Sequence, residues 1–462
     1  MEIARNPLKK KDPLVVLNFL LCLLWASPDG FSQNIPDANF ANAIRSACPT
    51  CIDASDNLLP PAANLTSLNV TNKNISDITG IEGFPSLILL DCSRNQIQTL
   101  PTLPNKLFAL YCYGNQLSNL PDLPNTLYRL HCDSNKLTGL PILPNSLEIL
   151  SCNFNQLTSL PDISYLYRLD CQNNQLIFLP TLSSPLYRLN CSNNKLITLP
   201  SLPLSIRELY CNNNQLTSLP DLKQMLGFLI LECFNNQLTS LPELPINLTG
   251  INCSNNPIKN LPTLPTNLSL LNCSNNLLKE LPTLSNLGIL NCSSNQLINL
   301  PPLPIRLSQF YCSNNKLTTL PALPNNLSIL HCDNNQLTDL PPLPLGETLN
   351  LNCSNNQLRN LPALPLKLFS LDCSNNQLSI LPVLHNNLRK LYCQNNQLIC
   401  LPALPSSLIE LLIDADKIKC LPNNTNGLNV YDRNNNPIPT PPLCPTTLTH
   451  TAGTLATGTY VA

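Results

Sequence analysis

Charge is scarce in this chain. Charged residues make up 11% of it, aromatics 5%, and the formal net charge is −1. Apart from Lys9, Lys10 and Lys11 there is no run of like charge, so a broad basic face for nucleic acid is disfavoured. Glycine is low at 12 residues, and no Gly-rich phosphate loop occurs. Histidine numbers four: His131, His331, His385 and His450. None has the partners of a hydrolytic triad or a metal cluster, so catalysis has no assembled set to stand on. The expectation is a non-enzyme that uses no cofactor and no metal.

Repetition is what the chain does have. Sixteen cysteines run from Cys92 to Cys393 at steps of 19 to 22 residues, mostly 20. An apolar residue, usually Leu, stands two before each. Asn stands three after each, from Asn95 to Asn396 without exception. Residues 127–146, LYRLHCDSNKLTGLPILPNS, are a clean copy of the unit L-x-x-L-x-C-x-x-N-x-L-x-x-L-P-x-L-P. A fixed period of this length means one small unit stacked many times, and the frame is that of a leucine-rich repeat with Cys in the third Leu place.

Each part of the unit has a physical role. L-x-C alternates inward and outward, as a short strand does. The Asn amide can serve backbone groups that the following turn leaves unpaired. L-P-x-L-P lacks the N–H groups a helix needs, so the return path is extended and polyproline-like. Val70, Ile413 and Arg433 fill the Cys place in degenerate terminal units, which makes nineteen coils. The expected fold is therefore a leucine-rich repeat solenoid over residues 63–443. Its short parallel strands line a concave face, and the 45 prolines sit mainly on the convex side.

The flanks differ from the array. Lys9–Lys11, an apolar run from Leu14 to Trp25, and Gly30 and Ser32 before Gln33 read as a secretory signal over residues 1–32. The run is short for a membrane span, so none is expected in the mature chain. Residues 33–62 form an N-terminal cap. Within it, residues 35–46 read as a short amphipathic helix with Asp37 as N-cap and Phe40 and Ile44 on one face. Cys48 and Cys51 lack the context of a redox or zinc pair, and a disulfide is the expected state. Cys400 and Cys420 share the place before Leu-Pro in neighbouring coils and are a second candidate pair. Residues 444–462 are a Thr-rich tail or linker. The ladder cysteines occupy inward places where Cys acts as a small hydrophobe, and reduced thiols are expected.

The block 63–443 resembles the 20-residue class of bacterial leucine-rich repeats known from type-III effectors of enteric pathogens. Ile35-Pro36-Asp37-Ala38-Asn39-Phe40 and Asn74–Ile81, with the L-x-C-S-x-N-Q-L units, resemble secreted repeat proteins of Bacteroidetes-type bacteria. The resemblance implies the solenoid and an export route. It does not carry over the catalytic domain of the effector ligases, which has no counterpart in residues 444–462.

Function is then expected on the outward strand positions. The residues just before each Cys form a polar strip that includes Tyr111, His131, Asp170, Tyr210 and Glu232. Arg129, Arg168 and Arg188 flank it in Y-R-L triplets. Tyr and Arg are favoured at interface hot spots, so these eight residues are the candidate ligand site for a protein or carbohydrate. The plain alternative is a solvated strip whose arginines pair with Asp or Glu. At the level of the whole protein, the expectation is a secreted or cell-surface binding protein, with a structural or adhesive spacer as the alternative. A secreted effector acting on host proteins is more remote.

Overall fold

The computed structural model describes residues 33–183, 185–423 and 427–444. The apolar leader and nearly all of the Thr-rich tail lie outside the described residues. The chain forms two compact units, one ending at Leu166 and the other beginning at Tyr167.

The first unit opens with helix α1 (Ala38–Ala47), capped by Asp37, whose carboxylate accepts from the backbone of Asn39 and Phe40. Phe40 and Ile44 are fully buried from its apolar face. The same carboxylate accepts from Ser76 N and Oγ and from Asp77 N, which ties the helix to the first coil. Cys48 and Cys51 are disulfide-bonded just beyond it. Five parallel strands follow: β1 (Ser67–Asn69), β2 (Leu89–Asp91), β3 (Ala109–Tyr111), β4 (Arg129–His131) and β5 (Ile149–Ser151).

The second unit repeats the pattern with fourteen parallel strands. It begins with β6 (Arg168–Asp170), β7 (Arg188–Asn190), β8 (Glu208–Tyr210) and β9 (Ile230–Glu232) and runs to β19 (Asn429–Tyr431). A short antiparallel strand, β20 (Pro437–Ile438), closes the last coil. The fold is a parallel-strand solenoid with one strand per coil. Irregular repeat lengths do not disturb the strands: across the 22-residue step from Cys211 to Cys233, Tyr210 still faces Glu232. Surplus residues are absorbed on the return path. There, the second Pro of L-P-x-L-P accepts from the Leu three residues on, as in Pro104 O with Leu107 N at 3.1 Å.

All sixteen ladder cysteines are buried, reduced thiols. Burial pushes the Cys253 thiol up to about 12, so the thiolate is not formed near neutrality. The ladder asparagines bind neighbouring coils together. Asn115 donates to the carbonyls of Cys112 and, one coil back, Cys92, while Ile97 N donates to its Oδ1. Two residues after every ladder Cys the backbone is left-handed, with Asn in eleven of the sixteen places, from Asn173 to Asn395. Asn tolerates that conformation better than most side chains, which explains the recurring Asn-Asn.

Two expectations fail at the C-terminal end. Cys420 bonds Cys444, not Cys400. The chain after the last coil runs back beside Leu421: Leu421 N donates to Pro442 O, and Cys444 N to Leu421 O. That places the Cys444 Cα 4.9 Å from that of Cys420 and leaves Cys400 a half-buried thiol. Likewise Arg433 does not take the Cys place. Leu412 pairs with Tyr431, which sets Asp432 level with Ile413. Arg433 is exposed and bonds Asp416 at the surface, because a guanidinium has no place in a dry core.

Candidate functional site

Strand alternation sends the residue before each Cys outward, while the Leu before it goes to the core. In the first unit this brings together Tyr111 and His131, whose rings lie 5.0 Å apart on β3 and β4. Arg129 reaches back from β4 and donates from Nη1 to the Tyr111 hydroxyl at 3.1 Å. All three are half-buried. Among the described residues Arg129 is in no ion pair with a carboxylate. Beside them Phe108 stacks on Tyr128 at 4.8 Å and is 47% exposed, so two consecutive coils carry two ring pairs and one guanidinium. Phe108 was not legible as a site residue, because its position varies freely between coils; its signal was the clustering of aromatics in a chain so poor in them.

In the second unit the candidate residues are tied to one another. Asp170, 5% exposed, takes Arg168 Nε on Oδ2 at 2.6 Å and Arg188 Nε on Oδ1 at 3.3 Å. Arg188 Nη1 also meets Glu208 Oε2 at 2.7 Å, and its guanidinium lies 4.7 Å from the centre of the Tyr210 ring. Tyr210 in turn donates to Glu208. Burial and then the Glu208 charge raise the Tyr210 hydroxyl above its ordinary value. Glu232, the next residue in the row, is raised by burial, with the Asn252 side chain opposing. Glu208 is the member that sequence reasoning left out. It continues the column of Arg168 and Arg188 with opposite sign, and the alternation was its signal.

The two groups therefore differ. Arg168 and Arg188 are neutralised by carboxylates within the fold, whereas the charge of Arg129 faces a hydroxyl and solvent. On the return path of the first unit, a shallow groove of about 190 Å³ is lined by residues that include Ile142, Pro144 and Tyr165. Among the described residues no group of His, Cys, Asp and Glu could hold a metal, and no helix is long and apolar enough to cross a membrane.

Known structures share this architecture. The leucine-rich effector protein YopM of Yersinia pestis is 36% identical, over 70% of this chain and 88% of its own, with a TM-score of 0.57. YopM of Yersinia enterocolitica is 30% identical, over 88% of this chain and 100% of its own, with a TM-score of 0.62. The functional domain of InlJ from Listeria monocytogenes, which includes a cysteine ladder, is 26% identical over 86% of this chain and 75% of its own, with a TM-score of 0.54. No family model matches the chain, and no curated protein sequence matches it.

Proposed function

The chain belongs to the bacterial leucine-rich repeat proteins, and from that premise we propose that it is a non-catalytic, extracellular or cell-surface binding protein. Its outward strand face recognises a protein or a glycan. The observation that carries this reading is the Tyr111–Arg129–His131 group: a guanidinium with no carboxylate partner among the described residues, bonded to the hydroxyl of a tyrosine whose ring packs on His131, on an open strand face. Arg and Tyr in that setting offer planar hydrogen bonding and ring contact at low ordering cost. The leader over residues 1–32 and the L-x-C-S-x-N-Q-L units support export from a Bacteroidetes-type bacterium.

The second reading, a structural spacer, is favoured by one observation. The Arg168–Asp170–Arg188–Glu208 chain of ion pairs clamps successive coils and leaves little charge for a ligand. Glycan and protein arrays probed with the wild-type chain and with Arg129→Ala separate the readings. Recognition predicts a hit that fades by about tenfold or more in the variant. A spacer predicts no hit, or one indifferent to the substitution.

A further inference from the structure

The outward row of the second unit changes character along its strands. At β6–β8 the carboxylates Asp170 and Glu208 both meet arginines. Farther on lie β13 (Gln309–Tyr311), β14 (Ile329–His331), β15 (Leu349–Asn352), β16 (Leu368–Asp372) and β17 (Lys390–Tyr392). Their register sets Tyr311, His331, Asn352, Asp372 and Tyr392 side by side. Four strand steps make this row about 19 Å long. His331 meets the Tyr311 ring edge-on at 5.2 Å. Asp333 follows His331 by two residues, just beyond the strand.

Neither aspartate in this region has a Lys or Arg partner among the described residues. Asp372 Oδ1 accepts from Ser374 N at 3.0 Å and Ser374 Oγ at 2.6 Å. Asp333 accepts from Ser313 Oγ and from Asn334 Nδ2. Lys390 stands beside the row, opposite Ser370, but its ammonium pairs with Glu410 Oε2 at 3.0 Å. Tyr392 also donates to Glu410, at 2.7 Å.

We propose that this row is a second binding site, for a partner protein that lays arginine or lysine side chains against it, one at Asp333 and one at Asp372. Charge complementarity selects the occupant. A partly desolvated carboxylate with only neutral donors gains more from an incoming cation than one already paired. Tyr392 stands one strand from Asp372 and Tyr311 closes the far end of the row, and each offers a ring face to a separate cation of the partner. Anionic polymers are repelled, and a neutral glycan would gain the rings but nothing from the carboxylates. Burial holds the Asp372 carboxyl above its ordinary value, with Ser374 opposing, the Asp333 charge adding and His331 opposing more weakly. This site is separate from the Arg129 group and does not depend on it.

Conservative variants are available within the repeat itself. Asn352 holds Ser354 as Asp372 holds Ser374, at 3.1 Å to N and 2.8 Å to Oγ, so Asp372→Asn retains the turn. Asn153 and Asn212 occupy the place of Asp333 in other coils. The probe is a fluorescently labelled hexa-arginine peptide, with hexa-citrulline as its neutral match, followed by anisotropy at near-physiological salt. The arginine peptide binds and the citrulline peptide does not. Asp372→Asn weakens binding by about tenfold and Asp333→Asn/Asp372→Asn by more, while exposed Glu280→Gln and Arg129→Ala leave it unchanged. Absence of binding, equal binding of the citrulline peptide, or an equal loss in Glu280→Gln would each overturn the proposal.

Discussion

The Asn276 side-chain amide donates to the carbonyl of Cys253, one coil back, at 3.1 Å. It also donates to Cys273 O in its own coil, and its Oδ1 accepts from Ile258 N. With a further contact to Ser274 O, one side chain thus bonds four backbone groups in two coils. Asn276→Ala orphans Ile258 N, at about 1–3 kcal/mol where water cannot reach, and takes from the Cys253 and Cys273 carbonyls one of two donors, leaving Asn256 and Asn295. Denaturant unfolding followed by circular dichroism should show a clearly lower midpoint. Asn275→Ala, at an exposed left-handed place, should cost less.

The ladder thiols should be silent in the folded protein. They are buried, and burial raises their pKa. In a chain beginning at residue 33, a thiol reagent without reductant should find at most one reactive group, Cys400. After denaturation it should find the sixteen ladder cysteines as well. A low count in denaturant would mean that the ladder is bridged.

Acid should loosen the N-terminal cap first. Partial burial acts to raise the Asp37 pKa, but hydrogen bonds from Phe40 N, Ser76 and Asp77 N outweigh it and hold the folded value below 3.8. A folded pKa below the unfolded one contributes stability that is complete above the unfolded value and lost as pH falls through the folded one. Hydrogen exchange of helix α1 should therefore accelerate below about pH 4 in the wild type. Asp37→Asn should already exchange faster at neutral pH and depend less on acid.

Period made the core legible. Leu, Cys and Asn recur in fixed places because each coil must present the same inward face and the same turn donor to its neighbours. The cap helix was legible from Asp37, Phe40 and Ile44 because capping and amphipathicity are local. What the period could not give was lateral reach. Arg168 and Arg188 turn to Asp170, and Arg188 also to Glu208, whereas Arg129 turns to Tyr111; side-chain rotamers and neighbours decide this, not the repeat. Cys400 and Cys420 share a repeat position, yet Cys444 wins because a non-repeating segment folds back beside Leu421. The left-handed place two residues after each ladder Cys left its mark in the recurring Asn-Asn pairs.

The central claim is that Arg129 serves a ligand and Arg188 serves the fold. The direct measurement pairs ligand dissociation constant with melting temperature for Arg129→Ala and Arg188→Ala, using the strongest array ligand. Arg129→Ala should raise Kd by about tenfold or more with an unchanged melting temperature. Arg188→Ala should leave Kd within about twofold and cost about 1–2 kcal/mol of stability, because Asp170 and Glu208 lose a shared partner. Unchanged affinity in Arg129→Ala, or lost affinity with full stability in Arg188→Ala, would contradict the account.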